Sequence, residues 1–295
     1  MHEIRAAIRQ ATVNLHPTWR CNYQCGFCHS TFPGIGDSLG REEWKTLIRT
    51  LGCAPPIHGR FEIDKISIAG GEPTLVPFLP ELLREVRRHD LVSSLITNGS
   101  GLRGELLQEI AEYLDWVALS IDSQDEGTNV RLGRGSGAHV RTTKRAVERL
   151  RAHDHVRIKL NTVVTRLNWR EDLHRLVAWV RPDRWKVFQA MRVEDQNGSR
   201  MGEFSVSDAQ FARFCERHAD LDPVCESAEA MRGSYLMIDP RGRFFGNSRG
   251  RHVYSDPVSL VGVEEAVRQV GWSPEAFLAR GGSYDWRTAG SGERS

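Results

Sequence analysis

The sequence predicts an α/β fold of parallel strands and helices followed by a C-terminal extension, with a partial (β/α)6 TIM-like barrel as one of its two possible arrangements. Three observations carry this. Apolar runs of strand length alternate six times with stretches of helical periodicity, and that alternation implies parallel strands joined by right-handed crossovers. Inside the runs, polar residues recur at every second position, as an interior lining requires. A chain of 295 residues is compatible with a single barrel, since barrels of this size fold as one domain.

In chain order the extended runs are 12–16, 63–69, 92–97, 116–122, 156–163 and 185–190. Between them, Leu79, Leu82, Leu83 and Val86 form an i, i+3, i+4, i+7 stripe. Leu106, Leu107, Ile110 and Leu114, then Leu173, Leu176, Val177 and Val180, repeat it less completely. The alternation admits a barrel or a doubly wound sheet, and six units would leave a barrel incomplete. Past Met191 the pattern changes. Residues 194–202 read as a polar loop and 206–218 as a helix, with Ser205 and Ser207 as candidate N-caps. Residues 235–245 read as a hairpin turning at Pro240-Arg241-Gly242, and 262–270 and 274–280 as short helices. The expected organisation is an N-terminal segment (1–11), the barrel (12–191), an extension that closes the active site (192–286) and a flexible tail (287–295).

Composition narrows the class. Hydrophobic residues at 40% and charged residues at 26% exclude a disordered or fibrous chain. A net charge of +2 argues against bulk polyanion binding, so functional positive charge must be local. The longest stretch without acidic or basic side chains, 21–36, is polar and too short for a bilayer span. The first residues lack an apolar signal core. Together with the cysteine content, this leads us to expect a cytoplasmic protein without membrane association.

Cys21, Cys25 and Cys28 stand at CxxxCxxC spacing directly after the first extended run. Chance places such a triplet in roughly one chain in a thousand of this cysteine content. Thiolates this close suit zinc or an iron–sulfur cluster. Three cysteines leave one iron of a four-iron cluster open, whereas a structural zinc site closes with four ligands, for which His29 is available. Cys53, Cys215 and Cys225 are scattered and read as packing residues.

The strands' inner face is informative in its own right. Ile158 and Leu160 take the helix side, so Lys159 and Asn161 point inward. By the same alternation Lys65 and Ser67 face in, as do Ser120 and Asp122. Arg184 and Lys186 share the face opposite Trp185 and Val187, and Asn14 and His16 oppose Val13 and Leu15. Four inward cations, Lys65, Lys159, Arg184 and Lys186, are costly unless an anion compensates them. Asp122 and Glu72 are the only acids expected nearby. A nucleoside triphosphate fits such a cavity; the competing reading lets each cationic head reach the rim.

The cysteine motif, followed by Gly70-Gly71-Glu72-Pro73 at the end of the second run, resembles the radical S-adenosylmethionine enzymes. That likeness selects the barrel and implies a [4Fe–4S] cluster on Cys21, Cys25 and Cys28, with S-adenosylmethionine as cofactor. Further segments are similar to the viperin family: VNLHPTWRCNYQCGFC, ITNGS, ALSIDSQDEGTNVRLGRGSG, KLNTVVTRLNW, RWKVFQ, SYLMID, VGVEEAV and RGGSYDW. The resemblance covers nearly the whole chain. It implies hydrogen abstraction from ribose C4′ of a nucleoside triphosphate by a 5′-deoxyadenosyl radical, with loss of the 3′-hydroxyl. The product is a chain-terminating, antiviral 3′-deoxy-3′,4′-didehydro nucleotide.

Residue by residue, the resemblance assigns Gly70, Gly71, Glu72, Pro73, Asn98, Ser120 and Arg134 to S-adenosylmethionine. It gives Lys65, Lys159, Arg184 and Lys186 to the phosphates, Asn161 to the ribose and Asn14 to the region of the base. Tyr235 matches a tyrosine that returns a hydrogen atom to the product radical. The expected partners are the nucleotide and a flavodoxin- or ferredoxin-type electron donor, with no nucleic acid, for a monomeric enzyme. CTP, UTP and GTP all remain open as substrates. The chain lacks the N-terminal amphipathic helix and terminal tryptophan of animal members, and residues 29–40 depart from theirs, so we expect a microbial form without lipid-droplet association. Two rivals stand. One is another radical enzyme acting on a phosphorylated substrate, such as a GTP cyclase-like maturase, for which Cys215 and Cys225 are too few to hold a second cluster. The other is a Cys3His zinc protein that binds nucleic acid.

Overall fold

The computed structural model describes residues 8–287. Six strands alternate with helices as the sequence predicts: β1 (Arg9–Leu15), β2 (Phe61–Ile68), β3 (Val92–Thr97), β4 (Trp116–Ser120), β5 (Arg157–Val164) and β6 (Arg184–Gln189). The helices along this part of the chain are α1 (Arg41–Gly52), α2 (Leu79–Arg88), α3 (Gly104–Ile110), α4 (Glu126–Leu132), α5 (His139–Leu150) and α6 (His174–Val180). α1 was not anticipated, although Trp44, Leu47, Ile48 and Leu51 give it a complete buried stripe. Gly40 opens it by donating to Glu43 at 2.7 Å.

Beyond residue 191 follow α7 (Met201–Phe204), α8 (Asp208–Arg217), β7 (Val224–Glu226), α9 (Ala228–Met231), β8 (Leu236–Ile238), β9 (Arg243–Gly246) and β10 (Val253–Pro257). The last elements are α10 (Val258–Val261), α11 (Val263–Val270) and α12 (Pro274–Ala279). Ser207, rather than Ser205, caps α8, in a reciprocal pair with Gln210. The β8–β9 hairpin lies where its turn sequence puts it.

The sheet order is β10-β9-β8-β1-β2-β3-β4-β5-β6-β7. The six expected strands pair in parallel in that order, and β7 continues them past β6. β8 returns to pair parallel with β1. The segment after residue 191 therefore supplies a strand to each edge of the parallel array, and the sheet stays open between β7 and β8. Three-residue strands such as β7 carry too little pattern to be read from sequence.

Outward-facing Val13, Leu15, Ile66, Val117, Leu119, Leu160 and Val187 are wholly buried against the helices. Burying each contributes about 1.5–3 kcal/mol. The last described residues are fastened across the strands' N-terminal side: Trp286 is completely buried and its indole donates to Asp64 at 2.5 Å. Arg287 was assigned to a flexible tail; instead its Nε donates to Asp64 at 2.9 Å and its Nη2 to the Asp90 carbonyl at 2.6 Å. The rest of that tail, and residues 1–7, lie outside the described residues. Among the described residues no helix is long and apolar enough to cross a membrane.

Candidate active site

Strand register builds the site in two storeys. Lys159 lies opposite Arg184, and Asn161 opposite Lys186 and Ser120. Two residues along a strand rise about 6.6 Å, so Lys159 with Arg184 forms a floor, and Asn161 with Lys186 a layer above it. Asn14 lies opposite Ser67, two residues along β2 from Lys65. One cavity is lined by Asn14, Lys65, Lys159, Asn161, Lys186 and Tyr235, with Arg280 and Tyr284 added by the extension. The inner-face reading thus gathers its residues, and no carboxylate lines the cavity among the described residues.

Arg184 departs from expectation. Its guanidinium stacks 3.9 Å from the ring centre of Tyr284 and donates to the Gly281 carbonyl at 3.0 Å, behind the cavity wall. Burial lowers Lys65 to about 7 and Lys186 to about 8, the latter despite a carboxylate partner. Burial, with Lys65 and Lys186 nearby, holds Lys159 well below the ordinary lysine range. The Oδ1 of Asn161 and the hydroxyl of Ser94 are buried without a hydrogen-bond partner, and both residues line the cavity. Unpaired groups of this kind call for a polar ligand.

The sequence reading missed Glu226, Arg280 and Tyr284. Glu226, fully buried, pairs with Lys186 at 2.5 Å and Arg280 at 3.6 Å and accepts a hydrogen bond from the Tyr235 hydroxyl. It supplies the compensating acid that had been sought in Asp122 and Glu72. Its position in the short β7 gave no periodic signal. Arg280 and Tyr284 both lie in RGGSYDW, a segment whose residues no strand pattern could orient.

Above the floor, the cysteine loop follows β1 and is sewn to the end of α4. Gln24 N donates to the Gly133 carbonyl and Gly26 N to the Leu132 carbonyl, both at 3.1 Å. Gly133 has φ +82°, and a Cβ there would stand 2.2 Å from the Gln24 carbonyl oxygen. Arg134 donates to the buried Asp122 at 2.5 Å and lies over the Phe27 ring. Burial raises all three thiols, Cys25 to about 12, while the charge of Arg134 opposes this. The one described group with three possible ligand atoms within 4.8 Å of one another is Asp172, His174 and His218. The cysteines therefore stand wider apart than ligands on one zinc ion, where Zn–S bonds of about 2.3 Å hold the sulfurs close. Three spread thiols beside an arginine suit the larger, anionic cluster. The nearby His29 ring instead meets the Ser30 hydroxyl at 3.1 Å.

Beside the cysteines, Gly71 N donates to the Thr18 carbonyl and Glu72 N to the Arg20 carbonyl, each at 2.8 Å. A Cβ on Gly70 or Gly71 would lie 2.5 or 2.1 Å from backbone oxygens of this loop. Glu72 has no exposed surface; it accepts from Thr74 and Thr97 hydroxyls at 2.6 Å and from Asn98 N at 2.8 Å. Pro73 opens the short turn that Glu72 caps. Asn98 Nδ2 donates to Asn22 inside the cysteine loop at 2.8 Å. The Ser120 carbonyl meets His139 Nε2 at 2.8 Å. The backbone N–H of Glu72 and the side chain of Asn98 thus hold the loop.

Residues 15–180 match the Radical SAM superfamily. The fold agrees: the chain superposes with SuiB of Streptococcus suis bound to S-adenosylmethionine at TM-score 0.62 and 18% identity, covering 80% of this chain and 60% of that one. A second likeness, anSMEcpe with bound AdoMet and a peptide, has TM-score 0.59 at 16% identity, covering 80% of this chain and 73% of that one. The chain belongs to the radical S-adenosylmethionine superfamily, whose cofactors are a [4Fe–4S] cluster and S-adenosylmethionine.

Among its relatives are proteins named S-adenosylmethionine-dependent nucleotide dehydratase. That of Flammeovirga pacifica is 34% identical, over 94% of this chain and 96% of the relative. One from Oncorhynchus mykiss, named with the suffix RSAD2, is 36% identical over 97% and 83%. One from Lacinutrix mariniflava is 34% identical over 94% of this chain, which spans 59% of that relative's length. The chain is a member of this nucleotide dehydratase family.

Proposed function

We propose that the protein dehydrates a ribonucleoside triphosphate (CTP, UTP or GTP) to its 3′-deoxy-3′,4′-didehydro analogue. The observation that carries this is the cavity lined by Lys65, Lys159 and Lys186 without a lining carboxylate among the described residues. When bound, the cluster on Cys21, Cys25 and Cys28 with S-adenosylmethionine supplies a hydrogen-abstracting organic radical. The chain's part is placement. Lys65, Lys159 and Lys186 take the phosphates, Arg184 acting through Tyr284. The unpaired Oδ1 of Asn161 accepts from a ribose hydroxyl, and Asn14 lies towards the base. Gly70 and Gly71 bring backbone carbonyls to the cofactor's methionine end, with Ser120 and Arg134 on its other side. Residues 192–286 wall the cavity and exclude water.

A small reductant of flavodoxin or ferredoxin type, a monomeric state and a cytoplasmic location complete the proposal. The wide thiol spacing disfavours the zinc alternative, and Cys215 and Cys225 are too few for the second cluster of a maturase. The test is anaerobic turnover with each of CTP, UTP, GTP and ATP. Deoxyadenosine and a nucleotide lighter by one water, dependent on one base, are expected. Cofactor cleavage indifferent to nucleotide would refute the substrate.

A further inference from the structure

The hydroxyl of Tyr235 is occupied on both sides. It donates to Glu226 Oε2 and accepts from Lys186 Nζ at 3.0 Å, while Arg280 lies 3.6 Å above its ring centre. Its hydrogen therefore points to a carboxylate in the wall. A hydrogen atom delivered to a sugar carbon would have to leave that bond first. Burial alone would raise the Glu226 carboxyl, but Lys186 and Arg280 outweigh it and hold the group below its ordinary range, an ionised acceptor.

We infer that Glu226 is a positioning residue that takes the phenolic proton when Tyr235 returns an electron, and only an electron, to the substrate. The inference rests on Tyr235 acting on the product radical, as read above, and replaces the hydrogen atom expected of it by an electron. Once ribose has lost the C4′ hydrogen, and the 3′-hydroxyl has left as water with a proton from the medium, the sugar is a radical cation. It needs one electron to become the neutral alkene. Tyr235 gives that electron and its O–H bond breaks, the proton forming an O–H bond on Glu226. The products are a neutral tyrosyl radical and a carboxylic acid. One electron from the reductant that the radical chemistry already requires, with the proton handed back by Glu226, restores both groups. Arg280 and Lys186 keep the carboxylate ionised and the ring fixed, so the proton travels one hydrogen bond.

The test uses the reconstituted holoenzyme and the ratio of dehydrated nucleotide to deoxyadenosine. Glu226→Gln keeps the shape but lacks the base. At saturating nucleotide it should lower the ratio about a hundredfold, and it should abolish a tyrosyl signal in freeze-quenched paramagnetic resonance. Glu226→Asp should recover part of both. If Tyr235→Phe lowers the ratio and Glu226→Gln does not, the Glu226 inference fails while the Tyr235 reading stands. If Tyr235→Phe leaves the ratio unchanged, the Tyr235 reading itself fails. Wild-type turnover in heavy water gives a check without variants: the product should carry no carbon-bound deuterium, and a carbon-bound deuteron would overturn the electron-only step.

Discussion

The Nζ of Lys159 lies 2.6 Å from the phenolic oxygen of Tyr284, an oxygen that Lys65 also reaches, at 3.1 Å. Two lysines thus share one neutral acceptor, because burial pushes Tyr284 up to about 12. A lone phenol satisfies their geometry but supplies no compensating charge.

This shortage of negative charge sets a pH dependence. Burial lowers Lys65 to about 7 and Lys186 to about 8 from an ordinary 10.5. Above those values the folded protein binds fewer protons than the unfolded chain, so ligand-free stability rises with pH towards 10.5. Triphosphate reverses the preference. Nucleotide binding should take up protons, and affinity should fall from about pH 7 to about pH 9. Calorimetry in two buffers of different ionisation heat measures the uptake; proton release would contradict the charge argument.

Lys186→Ala removes a cation that faces the cavity and should weaken nucleotide binding by about 2 kcal/mol, roughly thirtyfold. Arg184→Ala acts through Tyr284 and should cost less than about tenfold. Iron content should be unchanged in both. Equal activity on a nucleoside without phosphates would refute the role of the floor.

Gly133→Ala places a methyl 2.2 Å from the Gln24 carbonyl oxygen in a left-handed backbone. The cost should exceed about 3 kcal/mol and fall on the cysteine loop, so iron loading should drop with it. Gly202, where a Cβ meets nothing within 4 Å, provides the control: Gly202→Ala should load iron normally.

Trp286→Ala should lower stability by about 3–5 kcal/mol, measured by denaturant unfolding. It removes the indole that meets Asp64 and loosens the segment that brings Tyr284 to Lys65. Nucleotide affinity should fall as well, while deoxyadenosine formed without nucleotide persists.

Much of this site was legible in the sequence because strand alternation is a strict rule. Knowing that Ile158 and Leu160 are apolar is enough to turn Lys159 and Asn161 inward, and the same parity placed Lys65, Lys186 and Asn14. Arg184 has the right parity, yet it stands first in its strand, where a long side chain can lean away from the interior. Glu226 escaped because its strand has only three residues, and its partner Lys186 is distant in sequence. Glu72 was legible through its motif, and its bonds to Thr74, Thr97 and Asn98 show how the fold fixes it beside the cysteine loop. α1 was overlooked although its stripe is plain.

The stitching of the cysteine loop to Leu132 and Gly133 has a consequence for the chain as it is made. When Cys28 leaves the ribosome, the strand and helix that hold its loop in shape are still unsynthesised, and more than a hundred residues must follow before the thiols are framed. Tyr284 and Trp286 come far later. A nascent chain thus completes its cysteine loop well before the cavity wall to which Tyr284 belongs, and a truncated product ending between the two would hold the three thiols without that wall.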